Sequence, residues 1–249
     1  MSSQRKQSVS GPFRPRFRHG SVNSHPRGRP FISLPGKERW DMAVRTAVAA
    51  VAALVIGLAG GSAEACSRPM PAGADAVIQP GKAINAALLD AAVLSEVNYY
   101  RCRSGLPKLA PSASLRRVAE THAKWMARNM SVTHRSTVGG QSTLKARLST
   151  SGVKFKTGAE NIGMVHRYRI DGMSFRINGQ CAFSTYGGKA IPPHTYASLA
   201  RTMVDYWYHS PGHRANMMNR KVKVMGAGAA LNTGAPYCGQ FYMSQNFAG

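Results

Sequence analysis

Acidic side chains are scarce in this sequence: ten Asp and Glu stand against 33 Lys and Arg in 249 residues, a formal charge of +23. No two cysteines form a C-x-x-C pair, so nothing argues for a thiolate metal or redox centre. No H-E-x-x-H helix announces zinc by its spacing. Helix-turn-helix, zinc-finger spacing and an aromatic RNP-like strand are all missing, so the basicity has no element with which to read a base, and nucleic acid is not expected as a partner. The apolar run Thr46 to Gly61 spans about 16 residues, short of the roughly 20 that cross a bilayer comfortably.

The N-terminal part accounts for some of the charge. Residues 1–65 hold ten of the basic and three of the acidic side chains, which leaves +16 for residues 66–249. Residues 1–41 are rich in Ser, Pro, Gly and Arg, cannot bury enough apolar surface to offset chain ordering, and are expected to be a disordered basic extension. Residues 42–65 place a basic residue, an apolar run and Ala63-Glu64-Ala65 in the order of a secretory signal, with Met42 as an alternative start and cleavage expected between Ala65 and Cys66. The mature protein is then secreted or periplasmic. All four cysteines, Cys66, Cys102, Cys181 and Cys238, fall beyond that point, and an even number in an exported chain reads as disulfides. Three pairings are open. Cys66 with Cys102 and Cys181 with Cys238 is the expected one, because it closes one N-terminal loop and one across the late strands.

Residues 66–83 read as a Pro, Ala and Gly linker, and residues 84–249 as one domain. Ala87, Leu88, Ala91 and Leu94 recur at helical spacing, with Asn98 and Arg101 on the same stripe in structural roles, up to a stop at Gly105-Leu106-Pro107. A second helix follows Pro111-Ser112, with Leu115, Val118, Ala119, His122, Met126 and Met130 on one side and His122 as a core residue. His134 lies in the polar turn after it. Leu144 to Leu148 suggests a short helix, and Glu160-Asn161 sits beside glycines where backbone can approach closely. Met173 to Ile177 and Ala182 to Tyr186 suggest short strands in an insertion holding Cys181. Tyr196, Leu199, Ala200, Met203 and Trp207 mark another helix, after which Ser210-Pro211 suits an N-cap and first helical position. From Val222 the period changes to two, and two antiparallel strands close the chain. Helices first and a hairpin last point to an α+β fold.

In order, the marks are Asn98, Arg101, Gly105 and Leu109; His134; Glu160-Asn161; Trp207 and Ser210-Pro211-Gly212-His213-Arg214; Gly226-Ala227-Gly228; and Gln245 with Phe247. This series, over about residues 84 to 248, resembles the CAP superfamily of cysteine-rich secretory proteins, antigen 5 and pathogenesis-related proteins, in its bacterial SCP-like branch. The resemblance implies an αβα sandwich, helices packed on a central antiparallel sheet, with a cleft holding two histidines and two glutamates. His134 and His213 match the histidines and Glu160 one glutamate. Ser210 stands where the second glutamate would be, three residues after Trp207.

His134, His213 and Glu160 are donors that suit a divalent cation such as Zn²⁺, although separations of 26 and 53 residues carry no diagnostic spacing. The same three could serve catalysis as base, acid and orienting carboxylate. Asn161, Ser210, Arg214 and Gln245 are the candidate binding residues around them. The competing expectation is a monomeric, non-enzymatic module for lipid or sterol, or for an anionic cell-wall or membrane surface, drawn there by its charge.

Overall fold

The computed structural model describes residues 66–249; the expected extension and signal segment lie outside them. Helix α1 (Ala86–Arg103) starts where Asn85 accepts the Leu88 N–H. A two-residue strand, β1 (Ala110–Pro111), leads into α2 (Ala113–Asn129), capped by Ser112 and ended by Met130 in a left-handed conformation. Then come α3 (Leu144–Thr150), β2 (Gly158–His166), the short pair β3 (Arg176–Gly179) and β4 (Ala182–Ser184), α4 (Tyr196–His209), α5 (Pro211–Met217), β5 (Val224–Asn232) and β6 (Gln240–Ala248). Thr195 and Ser198 form a reciprocal capping box at the start of α4. Among the described residues no helix is long and apolar enough to cross a membrane.

The main sheet runs β1-β5-β6-β2. Its three long strands are antiparallel, as expected, but β1 adds a parallel edge. Alternation along β5 decides what covers each face. Met225, Ala227 and Ala229 join the large core with α1 and α4, whereas Gly226 and Gly228 abut α2, where a Cβ would run into backbone at Arg116 and Glu120. The helices therefore form two layers with the sheet between them, the expected α+β sandwich. All of β6 is buried because both faces are covered.

Some faces differ from the sequence reading. On α1 the buried side is Leu89, Asp90, Ala92, Val93, Glu96, Val97, Tyr100 and Arg101, while Ala87 and Ala91 are exposed. The buried acids hid this face. Asp90 accepts the Ala227 N–H, and Glu96, fully buried, pairs with Arg68 at 2.7 Å and Arg201 at 3.1 Å. Met130 is 62% exposed, because the left-handed cap turns it off the α2 face. The assigned structural roles do hold: Arg101 donates to the carbonyls of Pro107, Met217 and Asn219, and Asn98 exchanges two hydrogen bonds with Leu109.

Residues 66–83, read as a linker, are held against the domain. Ala74 and Ile78 are buried in its core, the Ile78 N–H donates to the His194 carbonyl, and Cys66 is bonded to Cys102. The second disulfide joins Cys181 to Cys238 and ties the β3–β4 hairpin to the β5–β6 connection. Both expected pairings are present. Phe183, Ile170 and Ile191 form a small separate core under that hairpin.

Candidate functional site

β2 lies at one edge of the sheet, and its alternation sends Glu160 and Asn161 to opposite faces. Glu160, only 3% exposed, faces the α2 side with Ser244 beside it. Its carboxylate is gripped by Arg147 of α3: Nε donates to Oε2 at 2.9 Å and Nη2 to Oε1 at 2.6 Å. Arg147 is itself fully buried and also donates to the carbonyls of Gln141 and His134. The second partner of Oε1 is His134 Nδ1, at 2.8 Å.

The charge state of this trio follows from its contacts. Burial alone would push the Glu160 carboxyl up, but the hydrogen bond from His134 and the Arg147 guanidinium hold it below the usual carboxylate range. An ionised carboxylate only accepts, so Nδ1 of His134 carries the proton and Nε2 is left as the free nitrogen. The His134 side chain is 56% exposed, so that nitrogen is open to solvent while its ring is anchored from behind. His213 in α5 is half-buried; burial and then the neighbouring His134 hold its pKa below the usual histidine value. His213 thus neighbours His134, whose ring is anchored on Glu160.

Asn161 and Gln245, candidate binding residues, are fully buried. Asn161 donates to the Gln245 side chain and to the His213 carbonyl, both at 3.2 Å, so the pair braces α5 against β2 and β6 instead of meeting a ligand directly. Ser210 is the residue before α5 and Pro211 its first, as expected, but the serine side chain makes no capping bond. Arg214 stacks over Tyr208, 4.6 Å from the ring centroid, and lines a surface hollow of about 540 Å³ with Ser104, Pro211, Ala215 and Met218. It is not drawn to Glu160.

The sequence reading missed three contributors. Arg147 lies three residues after Leu144 and so on its side of α3, but nothing in the sequence names its partner. Asn216 donates to the Glu160 carbonyl and to Asn161 Oδ1, securing α5 on the β2 edge. Ser244 approaches Glu160 Oε2 at 3.4 Å. His122, read as a core residue, is buried with Nε2 at 2.9 Å from the Thr133 carbonyl, and so holds the turn leading to His134.

The donor set for a divalent cation fits poorly. Both Glu160 oxygens are engaged by a guanidinium, and a cation there would sit against a buried positive charge. Among the described residues no group of three or more His, Cys, Asp and Glu side chains is placed to hold a metal ion. Only the nitrogens of His134 and His213 remain as donors from the expected three.

Several solved structures are similar to this chain. An extracellular protein containing an SCP domain from Bacillus anthracis is 24% identical, with a TM-score of 0.43 over 64% of this chain and 40% of that one. An outer surface protein from Borrelia burgdorferi is 15% identical, with a TM-score of 0.41 over 63% of this chain and 89% of that one. A cysteine-rich secretory protein from Staphylococcus aureus is 17% identical, with a TM-score of 0.40 over 67% of this chain and 40% of that one. The chain thus spans well under half the length of the first and third of these. No curated protein matches it. Residues 94–247 match the family described as CAP, the cysteine-rich secretory protein family, which takes in every element from the middle of α1 to the end of β6, and the chain belongs to that family.

Proposed function

We propose that the protein is an exported CAP-domain binding module whose ligand, a lipid or another anionic component of the cell envelope, engages His134 and His213 at the β2 edge, in a cleft backed by Glu160. The observation that carries this reading is His134: its ring is fixed by a 2.8 Å bond to an ionised, buried carboxylate while more than half of the side chain stays exposed. Such an imidazole is preorganised to meet a polar group from outside. Two disulfides support an oxidising compartment, and cleavage between Ala65 and Cys66 would release the domain there.

A second reading, a hydrolase, rests on the same 2.8 Å bond, since a carboxylate-oriented histidine is poised as a general base. Binding is preferred because no activated nucleophile accompanies it. Ser210, the nearest candidate in sequence to His213, has no side-chain cap bond and no described bond to a base.

The test is mass spectrometry of lipid and metal carried by protein purified without chelators, repeated for the His134→Ala, His213→Ala double variant. The variant should lose about tenfold or more of the bound ligand, as removal of hydrogen bonds to a polar group implies, while still unfolding near the wild-type temperature. Undiminished ligand in the variant would sink the binding reading, and hydrolysis lost with unchanged ligand would favour the enzyme.

A further inference from the structure

Charge is unevenly distributed over the described domain. Lys108 precedes β1, Lys154 and Lys156 precede β2, and Arg220, Lys221 and Lys223 precede β5; all six are exposed. Main-chain hydrogen bonds bring these segments together at one end of the sheet. Ala110 N–H donates to the Lys223 carbonyl at 2.9 Å, Lys223 N–H to Ala248 at 2.8 Å, and Lys156 N–H to Gly249 at 2.8 Å. Gly249 packs directly on the backbone of Lys221 and Val222, which closes the ring of contacts. None of the seven acidic side chains of residues 66–249 lies in these segments, and none of the described ion pairs involves the six cations.

We infer that this end of the sheet is an electrostatic docking surface for an anionic lipid bilayer, separate from the histidine site. Its composition favours a diffuse surface over a discrete phosphate. Five of the six cations are lysines, hydrated point charges that suit delocalised attraction, whereas bidentate recognition of one phosphate calls for arginine. The large exposed apolar residues, Met130, Val132, Met173, Ile177, Tyr186 and Tyr206, all lie in other segments. Contact at this end therefore involves no inserted side chain and is sensitive to salt. Glu160 sits two residues, about 7 Å of strand, inside the same end, so docking would bring the β2-edge site close to the lipid headgroups. This goes beyond the binding reading above and does not depend on it.

The experiment is co-sedimentation of the mature chain with vesicles of equal parts phosphatidylglycerol and phosphatidylcholine, in rising sodium chloride, with pure phosphatidylcholine vesicles alongside. Wild type should sediment with the anionic vesicles only and detach as salt increases. Lys154→Gln, Lys156→Gln, Lys221→Gln and Lys223→Gln together should weaken the apparent affinity on the order of 1,000-fold. Lys82→Gln, Arg128→Gln, Arg176→Gln and Lys189→Gln, which remove the same charge elsewhere, should weaken it by no more than about threefold. Equal losses in the two variants would reduce the effect to net charge and overturn the proposal, as would absence of wild-type binding at low salt. Capture by soluble polyphosphate without vesicle binding would overturn the lipid in favour of a polymer. Loss of vesicle binding in the His134→Ala, His213→Ala variant as large as in the lysine variant would assign the lipid contact to the histidine site and overturn the proposal.

Discussion

Glu160 is the residue on which the site turns, and Arg147 is the reason it can remain ionised while buried. A carboxylate and a guanidinium removed from water together are stable only with good geometry and further hydrogen bonds, which the bidentate contact, His134 and the Gln141 carbonyl supply. Arg147→Met should therefore cost about 3–5 kcal/mol in a denaturant titration, since it strands a buried charge. Adding Glu160→Gln on that background should recover part of the loss, because the stranded charge is gone. The pH dependence gives an independent check. The Glu160 pKa is lowered in the fold from an ordinary value of 4.5, so its stabilising contribution is present above that pH and is lost as the pH falls through the folded value. Arg147→Met should flatten that acid limb. The nearness of His134 and Glu160 was an expectation from their place in the ordered motifs, but the guanidinium behind Glu160 was not. A single arginine in a seven-residue helix has no pattern that names its partner 13 residues away.

At the level of elements, the strand β2 and the contact between α2 and β5 explain most of the departures from the periodic reading. β2 carries glycines and polar residues because one edge is pinned by side chains: Trp207 donates to the Ile162 carbonyl at 3.0 Å and Asn216 to that of Glu160. Beside their glycines Glu160 and Asn161 carry no strand period in one dimension, and they become a strand only when β6 and these donors are present. Gly226 and Gly228 are required by closeness rather than by backbone angle. With no Cβ, they let the α2 backbone lie directly on β5. Gly228→Ala should destabilise the domain by about 1–3 kcal/mol or more through overpacking against Glu120, measured as a shift in the unfolding midpoint. Should the variant match wild type, α2 is not held as tightly as this geometry requires. α4 was read correctly, with Tyr196, Leu199, Ala200, Met203 and Trp207 all buried, because it is amphipathic in the ordinary way. α1 was misread because it buries two acids that find basic and backbone partners only in the folded state.

For the molecule as a whole, the two disulfides fasten segments that contribute little core of their own. Cys66–Cys102 ties the N-terminal strap to α1 across 36 residues, and Cys181–Cys238 ties the β3–β4 hairpin across 57. Replacing Cys66 and Cys102 by serine should lower stability by about 2–5 kcal/mol, seen as a lower denaturant midpoint, with the CAP sheet still formed. An unchanged midpoint would mean that Ala74 and Ile78 alone hold the strap. The sequence by itself determined the family, the α+β class, the helix on Trp207 and the closing hairpin, because these rest on residue type, order and local periodicity. Only the tertiary structure decided that Arg147 stands behind Glu160, that Asn161 and Gln245 are internal braces, that Arg214 faces Tyr208, and that the lysines of three separate segments meet at one end of the sheet. Each of these depends on contacts between residues far apart in the chain, and burial and charge pairing across such distances leave no period in the sequence to read.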